Sequence, residues 1–120
     1  MFKKIRALLD HAIMLDPDLA EAHASLGTVI FDEWNYRDAL PASRRAVQLN
    51  PNYATGRYWL GELLWDRGQM DEALAVVRQA VDLDPLSIAM VVGYRLCLRD
   101  AGRFQEALAY AERAMKLPSE

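Results

Sequence analysis

The chain repeats itself every 34 residues, and that period constrains its fold more than any other feature. Pro17, Pro51 and Pro85 stand 34 apart, each after an acidic or amide residue (Asp16, Asn50, Asp84). Ala12, Ala46, Ala80 and Ala114 keep the same interval. So do Ala39-Leu40, Ala73-Leu74 and Ala107-Leu108, while Leu26-Gly27 returns as Leu60-Gly61 and, weakly, as Tyr94-Arg95. Coincident columns at one period mean a stack of similar units, each too small to bury its own apolar face.

Each unit reads as two helices. In the stretch after Pro17, Leu19, Ala22, Leu26, Val29 and Ile30 fall on one side of a helix, and Tyr36, Ala39, Leu40, Ser43, Val47 and Leu49 repeat the pattern. The Asx-Pro pairs suggest helix starts, with the Asx side chain as cap and proline at the first helical position. Gly68 and Gly102 fall where one helix must stop and the chain turn back. Trp34 occupies that column in the first unit. Because a tryptophan does not enter the left-handed region cheaply, a differently shaped turn is expected there. Pro41 implies either a kink or a later helix start. Gly27, Ala46, Gly61 and Ala80 sit where larger side chains would hold two helices apart.

Divided by the period, 120 residues give a single domain (1–120) of three full units, 20–53, 54–87 and 88–120. An orphan helix, 3–16, precedes them and matches only the second half of a unit. Its Phe2, Ile5, Leu8 and Leu9 either pack on the first full unit or form an oligomer contact.

Composition narrows the functional classes. The formal net charge is −3, against a generally basic nucleic-acid binder. One cysteine, Cys97, cannot form an intramolecular disulfide. No apolar run approaches the roughly 18 residues of a membrane span, and the start of the chain meets Asp10 too early for a signal peptide. No membrane partner and a cytoplasmic location are therefore expected, with a periplasmic one left open for a longer, membrane-anchored chain.

No catalytic constellation emerges, so no enzyme, cofactor or metal is expected. His11 and His23 lie in different helices, and metal sites need three or four ligands. His23, in the large-residue column before Leu26-Gly27, is expected as a packed, hydrogen-bonded ring. Cys97 shares a column with Val29 and Leu63 and is expected as a small buried hydrophobe. The six glycines are dispersed and build no phosphate loop. Arg37, Arg44 and Arg45 form a basic patch that is either a solvated helix face or a contact for an acidic group.

These columns resemble the tetratricopeptide repeat (TPR) family. The second unit matches through Leu60, Gly61, Leu64, Gly68, Ala73, Val77, Ala80 and Pro85. The first matches through Leu26, Gly27, Ile30, Ala39, Ala46 and Pro51 and departs at Trp34 and Ser43. The third matches through Leu98, Gly102, Ala107, Ala111 and Ala114, with Arg95 in a glycine column and Pro118 one residue early. The resemblance implies an all-α, right-handed TPR solenoid of seven antiparallel helices. It implies a non-catalytic module that binds a protein, as a peptide or helical segment, on its concave face. The alternative is a structural or homo-oligomerising scaffold using the orphan helix or the last unit. A narrower likeness is to TPR regions of bacterial signalling proteins, including winged-helix transcription regulators and class III adenylate cyclases.

Carried over column by column, the inner face comprises Glu21, Ala24, Thr28, Phe31 and Asp32; then Thr55, Tyr58, Glu62, Trp65 and Asp66; then Ala89, Val92, Leu96, Arg99 and Asp100. Candidate partner-binding residues are Thr28, Phe31, Tyr58, Glu62, Trp65, Asp66, Leu96 and Arg99. Tyr58 and Trp65, seven apart, face either the groove or a neighbouring helix, while Trp59 is expected to pack between helices. Family members that clamp a chaperone's carboxylate tail use basic and amide side chains at positions that here hold Ala24, Thr28, Trp59, Ala89 and Gly93. None can form that clamp. The acids Glu62, Asp66 and Asp100 suit a basic or amphipathic partner instead.

Overall fold

A computed structural model describes residues 2–116 of the chain; the expectation attached to Pro118 lies outside them, as does any account of the Phe2 side chain. Seven helices follow one another: α1 (Phe2–Leu15), α2 (Ala20–Asp32), α3 (Tyr36–Leu49), α4 (Ala54–Asp66), α5 (Met70–Leu83), α6 (Ile88–Asp100) and α7 (Phe104–Met115). No strand occurs among the described residues. The closest packing is within the pairs α2/α3, α4/α5 and α6/α7. Each pair then joins the next through α3 with α4 and α5 with α6, and α1 packs on α2. The stack measures 45 × 28 × 26 Å.

Small residues set the spacing inside a pair. A Cβ added to Gly27 would run into the Ser43 hydroxyl of α3, and one added to Gly61 into the Val77 side chain of α5. Facing them, Ala39, Ala46, Ala73 and Ala80 are fully buried. Larger apolar residues fill the space between pairs: Leu60, Leu64, Val77, Val81, Val91, Tyr94, Cys97 and Leu98 form the main core from α4 to α6. Ile30, Ala39 and Leu63 make a smaller cluster at the first junction. Cys97 is wholly enclosed, and burial foremost pushes its thiol up to about 11, so it is an apolar filler and not a nucleophile at neutral pH.

Three local expectations are corrected. The Asx-Pro pairs do not start helices: α2, α4 and α6 begin three residues after each proline, with Leu19, Tyr53 and Ser87 at their N-caps. Asp16 and Asn50 instead accept the backbone N–H two residues ahead, at 3.2 and 3.1 Å, and hold the turn between pairs. The Pro17 and Pro51 carbonyls lie within hydrogen-bond reach of His23 Nε2 at 2.8 Å and Arg57 Nε at 2.6 Å, which anchors the turn to the next helix.

The turn at Trp34 has the same shape as the glycine turns. Trp34 lies at φ 62, beside Gly68 at 77 and Gly102 at 79. In each, two backbone bonds close the helix end: Trp34 N to Phe31 O and Asn35 N to Ile30 O match Gly68 N to Trp65 O and Gln69 N to Leu64 O. This paired closure satisfies carbonyls the helix leaves free and overrides the cost, on the order of 1–2 kcal/mol, of a left-handed side chain. Pro41 neither delays nor interrupts α3, which runs unbroken from Tyr36 behind an Asn35 cap accepting from Asp38 N at 3.3 Å. The absent Pro41 N–H falls early in the helix, where the loss is one bond.

Gly61→Ala should lower stability by about 1–2 kcal/mol, because overpacking against Val77 outweighs alanine's helix preference. Urea unfolding measures it. Adding Val77→Ala should cost less than the two single losses combined, since it removes the clashing methyl group.

Candidate functional site

The first helices of the pairs line one face of the stack, and between α2 and α4 that face sinks into two adjoining hollows. One, of about 460 Å³, is lined by Phe31, Glu62, Trp65 and Asp66. The other, of about 200 Å³, is lined by Thr28, Phe31, Asp32, Trp59, Glu62 and Leu63. Phe31 and Glu62 belong to both. Helical geometry explains the convergence. Thr28 and Phe31 lie three apart on α2, while Trp59, Glu62, Trp65 and Asp66 recur at three- and four-residue steps on α4, and each set therefore points the same way.

The walls are held by bonds to neighbouring helices. Phe31 meets the Tyr36 ring edge-on, centroids 5.1 Å apart at 75°. The Tyr36 hydroxyl donates to Asp66 Oδ2. Trp65 Nε1 donates to Asp100 Oδ2 at 2.8 Å, and Arg99 donates to the other oxygen of that carboxylate at 3.2–3.3 Å. Thr28 Oγ1 donates to the Ser25 carbonyl at 2.8 Å. Glu62 has no hydrogen-bond partner among the described residues. Its carboxylate is open to the groove, yet the surrounding side chains displace enough water to raise its pKa above the usual carboxylate range.

The structure thus brings together Thr28, Phe31, Glu62, Trp65 and Asp66 of the sequence-derived candidates. Tyr58 lies elsewhere: half-buried, it covers Gly93 of α6, where an added Cβ would strike its ring and hydroxyl. Its hydroxyl pKa is raised by burial and then by the charge of Glu62. Leu96 and Arg99 line neither hollow, and Arg99 instead fastens Asp100, the partner of Trp65. Trp59, expected only between helices, also lines the smaller hollow. Its three-residue separation from Glu62 is the signal for that placement. Arg44 does not wait for an outside acid, because it holds Glu72 of α5 in a two-pronged bridge at 2.7 and 3.0 Å. His23 is hydrogen-bonded at its expected packing position.

The geometry supplies an aromatic, acid-lined depression on a rigid helical wall. Among the described residues, no group of three or more His, Cys, Asp or Glu is arranged to hold a metal ion. No described helix is long and apolar enough to cross a membrane.

Comparison with known proteins agrees with this architecture. The family model described as tetratricopeptide repeat matches residues 31–88. Among solved structures, a crystal structure of MamA superposes with a TM-score of 0.84 at 27% identity, covering 97% of this chain and 63% of that one. MamA from Desulfovibrio magneticus RS-1, residues 41 to the end, gives 0.84 at 23% identity over 97% of this chain and 66% of its own. YrrB, titled a TPR protein with an unusual peptide-binding site, gives 0.81 at 25% identity, covering 96% of this chain and 59% of YrrB. The chain therefore spans about two thirds or less of these structures. No curated protein matches it.

Glu62→Gln should raise stability at neutral pH and make no difference under acidic conditions where Glu62 is already protonated. The sign follows from linkage: a raised folded-state pKa means the folded chain holds the proton longer, so stability falls as pH rises from the unfolded toward the folded pKa. Denaturation midpoints of both proteins across that range measure the effect. A flat difference between them contradicts the desolvation argument.

Proposed function

We propose that the chain, whose residues 31–88 match the tetratricopeptide-repeat model, is a non-catalytic protein-interaction module that takes a peptide or helical segment along the face of α2 and α4. The observation that carries this reading is the meeting of Phe31, Trp59 and Trp65 with Glu62 and Asp66 in one depression. Aromatic side chains give large contact area at low entropy cost, and the acids select a partner carrying basic groups on an apolar stripe. The titled peptide-binding site of YrrB, a protein of the same fold, supports the class of ligand. The reading places the module in the cytoplasm within a larger bacterial regulatory protein and pairs it with protein, not nucleic acid. The acid-lined groove repels a phosphate backbone.

A labelled amphipathic Lys-Leu helix should bind, and its Glu-Leu counterpart should bind far more weakly. Trp65→Ala should weaken the Lys-Leu helix at least about tenfold with an unchanged circular dichroism spectrum. Equal binding by the folded variant removes the groove assignment.

A second reading rests on the two ends of the stack. Leu8, Met14 and Leu15 of α1 are exposed, and so are Phe104, Leu108 and Met115 on or near the outer side of α7. Phe104 and Leu108 occupy the columns of Met70 and Leu74, which in α5 pack within the core around α6. Self-association through these ends makes the chain an oligomerising scaffold. Light scattering over a dilution series then shows mass rising with concentration, and Leu108→Glu abolishes the rise. A constant monomer mass rejects this reading.

A further inference from the structure

We infer that the edge formed by the α2–α3 and α4–α5 turns is a second binding site, taking an internal peptide segment in which an acidic side chain neighbours an apolar one. It adjoins the aromatic groove, sharing Leu63 with the smaller hollow there, and does not depend on that assignment.

A hollow of about 400 Å³ opens at this edge, with Leu40, Leu63 and Leu64 at its floor, Arg37 and Arg67 among its polar lining, and Trp34 as a wall. Leu40, partly exposed, gives the hollow its accessible apolar surface, with Leu63 and Leu64 almost wholly buried beneath it. The charged lining is free to act. Arg37 has no hydrogen bond or ion pair among the described residues, and Arg67 stands over the Tyr36 ring with Cζ 5.0 Å from its centroid. The acids nearest in sequence are engaged elsewhere, Asp38 with the Asn35 amide at 2.8 Å and Asp66 with the Tyr36 hydroxyl. Two guanidinium forks beside an apolar floor match one carboxylate attached to an aliphatic chain. They are too few, on a chain of net charge −3, to hold a nucleic-acid backbone.

Trp34 is the second, independent observation. It is held in the left-handed region, which the equivalent positions fill with Gly68 and Gly102. In return the fold buries almost none of it, since Trp34 is 83% exposed. A strained backbone bearing a large aromatic ring that stabilises nothing within the chain is explained when a ligand covers the ring. Trp34 lines the hollow, so a segment bound there would cover its ring.

The test uses the intact chain and the capped peptide acetyl-Leu-Glu-Asp-Leu-amide, with acetyl-Leu-Gln-Asn-Leu-amide and acetyl-Leu-Lys-Lys-Leu-amide as comparisons, followed by amide and indole NMR. The acidic peptide should shift the Trp34 indole and the Asn35, Arg67 and Gln69 amides, saturating at least about tenfold tighter than either comparison. Arg37→Gln should weaken it by a similar factor. Trp34→Gly should unfold at a higher denaturant concentration than the parent and yet lose the peptide, a combination that a purely structural tryptophan does not produce. The inference is overturned by absence of shifts at this edge, by equal affinity for the neutral peptide, or by undiminished binding to Trp34→Gly.

Discussion

Everything in this stack depends on how closely two helices of a pair approach. Gly27 and Gly61 present no side chain to the helix that folds back on them, and Ser43 and Val77 fill the space a Cβ would need. Ala39, Ala46, Ala73 and Ala80 meet that contact with single methyl groups and are sealed from water. With the pairs drawn tight, the larger residues of α5 and α6 reach across to the next pair instead of being spent within their own. A pair spread by one methyl group moves its first helix, and the groove between α2 and α4 moves with it. The groove is thus set by the packing of the same helices that line it, Gly27 four residues before Phe31 and Gly61 four before Trp65.

Polar bonds refine this arrangement but do not create it. The Arg44–Glu72 bridge spans α3 and α5, and the Arg6–Glu33 and Arg45–Asp18 pairs cross other junctions, all with side chains largely in solvent. Exposed pairs of this kind contribute at most about 1 kcal/mol. Their role is orientation, and the bond from Trp65 to Asp100 shows it most directly. Arg99 holds the carboxylate, the carboxylate holds the indole, and the indole lines the groove. Arg99 was a candidate for partner contact by its column, and the structure gives it this supporting place behind one.

How much of this was legible in the sequence follows from which forces act at the scale of the repeat. The 34-residue period, the paired helices and the Gly–Ala packing columns are properties of side-chain size at fixed spacing, and a sequence displays those openly. Thr28, Phe31, Glu62, Trp65 and Asp66 come from the columns that the family resemblance implies, and the structure brings these five around the hollows between α2 and α4. Tyr58 and Trp59 are adjacent, and spacing alone does not decide which ring turns to the groove. That depended on Gly93, 35 residues from Tyr58, leaving room for the tyrosine. The Asx-Pro pairs were misplaced because capping a helix and closing a turn use the same side-chain oxygen, and only the backbone path separates them. Trp34 departs from its own conformational preference because the turn returns two backbone bonds, which the residue type does not display.

The Gly68 and Gly102 turns make the same two bonds without a left-handed side chain, so the indole itself adds nothing to the Trp34 turn. Trp34 stands at the only one of three equivalent turns where glycine is absent. Tyr36, two residues on, stands between the sites on either side of it: its hydroxyl binds Asp66 of the acidic groove, its ring edge meets Phe31, and Arg67 of the turn edge lies over its face. A net charge of −3 averages these surroundings into near neutrality. In three dimensions Glu62 and Asp66 line the hollow on the Phe31 side of Tyr36, while Arg37 and Arg67 line the one at the turn edge, so local potential differs across one tyrosine.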